Sequence, residues 1–394
     1  MTSVVEPDAP GRVGATAGGV IDADASTVLF REVDTANGKR FGIATLNAPA
    51  SLNSLSLEMV DLLHPRLLAW AEDPNVAGVM LDAAGDKALC AGGDLRQLYR
   101  TILECGDGPN AYAQAFFSRE YRLDHLIHTY PKPFLCWGHG IVMGGGIGLM
   151  AGASHRVVTG KSRLAMPEIA IGLFPDVAGS WFLQRMPRHV GLFLALTGAS
   201  FNAADALFLG VADFFVPQEA KAEVLKAIGD TRWGDDAAAQ LSHLLEAQRG
   251  EAALPESMVR KLFDTIATVV GHDGLRDIAS RLDALAAGST SDDPWLVNAA
   301  QAYRKGSPTS AALSFDLLNR SRHLSLAEVF RLEFDVALGC CAHADFPEGI
   351  RALLIEKDKN PKWSPAALDG VSPELLASHY EPRYRDHHPL ADLS

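Results

Sequence analysis

The sequence predicts an α/β fold with a largely parallel sheet, followed by an all-helical C-terminal region. Three observations carry that expectation. Between residues 28 and 215, short apolar runs alternate with segments of helical spacing across short loops, the pattern of consecutive β–α connections. After Pro217 the chain turns Ala- and Leu-rich with helical periodicity, as in "AALSFDLLNR" and "LAEVFRLEFDVAL". Finally, 48% of the 394 residues are hydrophobic, which is enough to fill a sizeable core.

The elements follow in order. Residues 1–25 have neither a basic, apolar signal segment nor a clear period, and are expected to form a flexible tail. Residues 28–47 hold two β-like runs around Ala36-Asn37-Gly38, a hairpin signal. Residues 55–73 have helical spacing at Met59, Leu62, Leu63, Leu67 and Leu68, with Pro65 inside. "VAGVMLDAA" (76–84) reads as a buried parallel strand. The loop "GDKALCAGGD" follows, then helix to about residue 130. "KPFLCWGHG" (132–140) is another buried strand, and "IVMGGGIGLMAGA" turns into a helix. "HRVVTGKSRLAM" (155–166) reads as two short strands. The expected division is a core over 26–217 and a helical region over 218–394 that ends in an irregular tail.

Composition narrows the function. The formal charge is −13, which argues against a nucleic-acid partner, because phosphate binding needs a basic face. No apolar run is long enough for a membrane-spanning helix, so no membrane partner is expected. The five scattered cysteines form no CxxC pair. With the N-terminal segment, they point to a reducing, cytoplasmic compartment.

Candidate chemistry lies in three places. Gly144, Gly145 and Gly146 follow a strand and open a helix, where the first N–H groups lack partners and can receive an anion or a developing oxyanion. Tight packing is an equally good reason for that run. Ala91-Gly92-Gly93 leads into a second helix, with Asp94 as its expected N-cap. The Gly93 and Gly145 N–H groups together would make a two-donor hole for a thioester or ester carbonyl. "AMPEIAIGLFPDVAGS" (165–180) places Glu168 and Asp176 in apolar surroundings. Each follows a proline and could cap a short helix. An acid in an apolar pocket has a raised pKa, which suits acid–base work.

"LNAPASLNSLS" (46–56), "ALCAGGDLRQLY" (88–99), "HGIVMGGGIGL" (139–149) and "MPEIAIGLFPDVAGSWFL" (166–183), in this order, resemble the successive landmarks of the crotonase (enoyl-CoA hydratase/isomerase) superfamily. "GSPTSAAL" (306–313) and "DFPEGIRALLIEKDKNPKW" (345–363) extend the likeness over nearly the whole chain. They draw it toward the members that hydrolyse short 3-hydroxyacyl-CoA thioesters. The resemblance implies a crotonase-like spiral of ββα units and an acyl-CoA substrate, with no metal or redox cofactor. It puts the oxyanion donors on Gly93 and Gly145 and the catalytic acids on Glu168 and Asp176. Substrate contacts would come from Glu120, Gly145, Glu168 and Asp176. Glu120, in "FFSREYRL", otherwise reads as part of a solvated helix face. Trimers and hexamers are common in the superfamily, so a homo-oligomer is a possibility that the helical extension could alter.

Two departures matter. Hydratases of the superfamily pair two Glu residues, one of which would fall on Gly148; here that position has no side chain, and Asp176 stands where they usually have Gly. Hydrolysis is therefore the expected reaction, ahead of isomerisation, hydration or binding without turnover. The hydrolases also tend to carry Arg-Pro-Lys where this chain has Ala48-Pro49-Ala50. Lys87, Lys357, Lys359 and Lys362 are the candidate substitutes toward the coenzyme A phosphates.

Overall fold

The computed structural model describes residues 26–106, 108–249 and 253–394; the tail expected over 1–25 lies outside them. β1 (Val28–Asp34) and β2 (Arg40–Leu46) form the expected hairpin, and α1 (Leu57–Glu72) follows with Pro65 inside it. β3 (Val76–Ala83) is buried at every position. The expected loop after it contains a three-residue strand, β4 (Ala88–Cys90); a strand so short has no period to reveal it. The helical stretch to residue 130 is two helices, α2 (Leu95–Cys105) and α3 (Ala111–His128).

Next come β5 (Phe134–Gly138), β6 (Ile141–Met143), α4 (Gly145–Ala151), β7 (His155–Val158) and β8 (Arg163–Ala165). They are followed by α5 (Gly179–Gln184), α6 (Val190–Thr197), β9 (Phe201–Asn202), α7 (Ala203–Phe208) and β10 (Phe214–Phe215). Beyond Pro217 the described residues are mostly helical up to residue 355, from α8 (Lys221–Asp230) and α9 (Ala237–Ala247) to α10 (Met258–Lys261), α11 (Phe263–Val270) and α12 (Leu275–Ala286). α13 (Pro294–Lys305), α14 (Pro308–Arg320), α15 (Leu326–Ala342) and α16 (Asp345–Ile350) follow, and the largely irregular tail holds a short α-helix, α17 (Pro373–Ser378).

The strands alternate between two sheets. β1-β2-β3-β5-β7-β10 form one, parallel except for the opening hairpin; β4-β6-β8-β9 form the other, parallel except for β9. β3–β4, β5–β6 and β7–β8 each send their first strand to the larger sheet and their second to the smaller, before the chain continues into a helix or helical turn. The larger sheet is apolar on both faces, with the two-residue period of a strand. Val79, Leu81, Phe134 and Cys136 face the main core, whereas Met80, Leu135 and Trp137 face a second core closed by Val224, Ile228, Leu241 and Leu245 of α8 and α9. Each such side chain withdrawn from water contributes about 1.5–3 kcal/mol. The main core runs without a break into the helical region through Phe330, Phe334 and Leu338 of α15.

This arrangement positions the site. β4, β6 and β8 run parallel and end at Cys90, Met143 and Ala165. Gly93, Gly145 and Glu168 follow within three residues of those ends. Ligands in open α/β sheets bind outside the carboxyl ends of such strands.

Candidate active site

A cleft of about 890 Å³ opens there, and its lining includes Gly93, Glu120, Gly145, Glu168 and Asp176. All five residues singled out from the sequence therefore meet in one place. Met59, Leu95, Leu98, Phe116, Phe117, Leu353 and Leu354 give it apolar walls. The last two belong to a π-helical turn, Arg351–Ile355, in the C-terminal region.

The glycine run serves two purposes. Gly144 adopts φ 50°, ψ −122°, a conformation that L side chains avoid. It starts α4, and a Cβ on it would stand 2.8 Å from Glu168 Oε1. A Cβ on Gly145 would stand 2.6 Å from Glu120 Oε1 and 3.7 Å from the Gly93 nitrogen. The two backbone nitrogens and the two carboxylates thus surround one small space. Neither the Gly93 nor the Gly145 N–H donates to another group among the described residues. Gly146 is a packing residue, because its Cβ would lie 2.3 Å from the Cys90 carbonyl oxygen.

The acids are not helix caps. Glu168 opens a 3₁₀ turn, Glu168–Ile171, without capping it, and α5 begins at Gly179 without a cap from Asp176. Both are about 5% exposed. Asp176 accepts a hydrogen bond from the Tyr121 hydroxyl at 2.8 Å, while Glu168 Oε2 is buried with no partner among the described residues. Burial, and then the charge of Asp176, hold the Glu168 carboxyl well above the usual range. Burial pushes Asp176 up to about 6, against the pull of the Tyr121 hydrogen bond. Asp94 is the N-cap expected of it, accepting from the Gln97 N–H at 3.3 Å.

Glu120 is 2% exposed, so its helix face is not solvated. Its carboxylate lies against Gly145, while Tyr121 on the same helix packs on Phe330 of α15, neighbours that the sequence of α3 alone does not reveal. Burial and the neighbouring Asp124 and Asp176 raise the Glu120 carboxyl.

The sequence reading missed three groups. Tyr121 and Asp124 stand beside Glu120 on α3, and Asp124 is fully buried with neither oxygen partnered among the described residues; burial holds it well above the usual carboxylate range. Their one local signal is spacing, since Glu120 and Asp124 lie four residues apart on one helix face. Glu333 of α15 is fully buried and accepts from the N–H groups of Ala178, at 2.7 Å, and Ser180, at 2.9 Å, and from the Ser180 hydroxyl. It lies 157 residues beyond Asp176 in the chain, beyond the reach of any local pattern.

The segment that follows Asp176 is unusual. Val177 and Ala178 have φ of 52° and 66°, in the left-handed region that a β-branched residue avoids; each such residue costs on the order of 1–3 kcal/mol. This turn fills the space beside Gly148, whose Cβ would stand 2.6 Å from Val177 Cβ and 3.0 Å from Asp124 Oδ2. The 176–178 turn and a side chain at position 148 exclude one another.

The lysines proposed for the phosphates do not line the cleft. Lys87 faces a neighbouring hollow with Pro49, Gly85 and Asp86. Lys357, Lys359 and Lys362 lie in the exposed segment past the π-helical turn. Among the described residues, the cation in the lining is Arg96, at the start of α2 and three residues after Gly93.

An enoyl-CoA hydratase/isomerase family model matches residues 41–380. The chain belongs to the enoyl-CoA hydratase/isomerase family. Its relatives include the mitochondrial 3-hydroxyisobutyryl-CoA hydrolase of Danio rerio, 36% identical over 89% of this chain and 88% of that protein. The human protein of the same name is 34% identical over 86% of each chain. Among solved structures, an enoyl-CoA hydratase from Rhodobacter sphaeroides superposes with a TM-score of 0.78 at 36% identity, over 91% of this chain and 98% of that one. A carnitinyl-CoA dehydratase from Mycobacterium thermoresistibile superposes with a TM-score of 0.79, also at 36% identity, over 90% and 96%. The fold is thus the crotonase fold implied by the sequence motifs.

Proposed function

We propose that this protein hydrolyses 3-hydroxyisobutyryl-CoA, or a close short 3-hydroxyacyl-CoA, to the free acid and coenzyme A, a step of valine breakdown. The observation that carries the reading is the joint placement of two backbone donors and the carboxylates of Glu168 and Glu120 around one space, in a cleft that Asp176 also lines. The curated relatives support the choice of substrate by their names.

In this reading the Gly93 and Gly145 N–H groups hold the thioester oxygen and stabilise the oxyanion as it forms. Glu168 supplies the negative oxygen at the acyl carbon, either directly or through a water. Asp176 orients the substrate hydroxyl or that water. The oxygen of water ends on the acyl carbon, the C–S bond breaks, and the coenzyme A thiolate leaves and takes up a proton. Glu120 contacts the acyl end, and Arg96 faces the coenzyme A portion.

A second reading, hydration of an enoyl-CoA double bond, has the names of the two solved structures in its favour. The geometry weighs against it, because position 148 is closed by Val177 and the second acid comes from another wall of the cleft.

The pH profile of thiol release tests the reading. Burial raises both acids, so the ionised forms appear only as pH rises past the usual carboxylate range. kcat/KM for thiol release should climb through an apparent pKa of about 6 or above, and fall about tenfold per pH unit below it. That limb belongs to the coupled acids together. A limb at the ordinary Glu value of about 4.3, or no thiol release from any short 3-hydroxyacyl-CoA, would contradict it.

A further inference from the structure

We infer that Glu333, contributed by the helical C-terminal region, is a positioning residue that sets Asp176 in the cleft. The inference rests on the thioester reading for its activity readout and on geometry for the rest. Four observations carry it.

Glu333 uses both carboxylate oxygens on the turn that follows Asp176. Oε2 accepts from the Ala178 N–H at 2.7 Å, and Oε1 accepts from the Ser180 N–H at 2.9 Å and from the Ser180 hydroxyl. Ala178 is one of the two residues held at positive φ, so the carboxylate grips the turn inside its unfavourable stretch as well as at the start of α5. The turn is short, with the Gly179 N–H donating to the Asp176 carbonyl at 2.7 Å. A shift at Ala178 is therefore passed to Asp176. Finally, Val177 in this turn is the residue that closes position 148.

A plain helix cap would need only the Ser180 N–H. Gripping Ala178 as well fixes the dihedral angles of Val177 and Ala178, and these direct the Asp176 side chain toward Tyr121 and the cleft. The helical extension in this way determines which wall of the cleft carries the second acid.

The test uses Glu333→Gln and Ser180→Ala in the full chain. Glu333→Gln keeps the shape of the side chain but presents an NH₂ group to one of the backbone N–H donors; Ser180→Ala removes one donor and disturbs folding least. Displacing a group by about 1 Å can cost ~100-fold in rate, so kcat for thiol release should fall about 30-fold or more in Glu333→Gln and several-fold in Ser180→Ala. KM should stay within about threefold, because the donors and walls that bind the thioester are untouched. Leu282→Ala, a cavity variant in α12, which packs on α11 and α13, should lower Tm and leave kcat unchanged. Crystal structures of the two variants give a second readout that needs no substrate: Val177 leaving positive φ and Asp176 leaving Tyr121. If wild-type protein releases no thiol, the thioester reading fails, and the crystal structures still decide this inference. Unchanged kcat in Ser180→Ala, together with Asp176 still bonded to Tyr121 in either variant, would overturn it. Should Glu333→Gln fail to fold, Ser180→Ala supplies both readouts.

Discussion

Glu168→Gln should reduce thiol release by about 10³-fold, within the range expected for losing a positioned base or nucleophile. Glu168 Oε1 faces Gly144 at the mouth of the two-donor space, and Oε2 has no protein partner. Among the described residues, no other residue bonds to that carboxylate, although burying it is costly. Gln matches its size and lacks only the ionisable oxygen, so thermal stability and thioester binding should persist. Turnover within about tenfold of wild type would remove Glu168 from the chemistry and leave its burial without a chemical account.

Asp176→Asn should lower kcat by about 10²-fold, and it should also move the pH profile. Tyr121 can still donate to an Asn oxygen, so the side chain keeps its seat. What is lost is a negative neighbour. The charge of Asp176 is one cause of the raised Glu168 carboxyl. Removing it makes Glu168 easier to ionise, so the residual acid limb should shift to lower pH. Measuring kcat across pH for both proteins checks the sign. A limb that moves upward, or a kcat near that of wild type, would show that the two acids do not share one electrostatic site.

Much of this was readable in the sequence, for identifiable reasons. The hairpin, the long helix α1 and the buried strands announce themselves by turn chemistry and period, which are local. The Gly-rich loops are also local, since a run of glycines between strand and helix is rare unless something comes close to the backbone. The strand β4 escaped because three residues hold no period. Glu120 reads as solvated from its own helix, because the glycine loop it lies against, at Gly145, comes 25 residues later in the chain. Glu333 and its hold on the 176–180 turn escaped for the same reason, as did the closing of position 148 by Val177. Gly148 itself was noticed as an absence; only the folded turn explains why a side chain cannot return there. Charge alone favours Lys87, Lys357, Lys359 and Lys362 for the phosphates, whereas the folded cleft is lined by Arg96.

The central claim is that this crotonase-fold cleft breaks a thioester and does not hydrate a double bond. The direct measurement is a paired incubation of the purified chain with 3-hydroxyisobutyryl-CoA and with a short 2-enoyl-CoA, following free thiol and loss of the conjugated double bond. The account predicts rapid thiol release from the hydroxyacyl thioester and no loss of the double bond from the enoyl thioester. Hydration of the enoyl-CoA with no thiol released from either compound would contradict it.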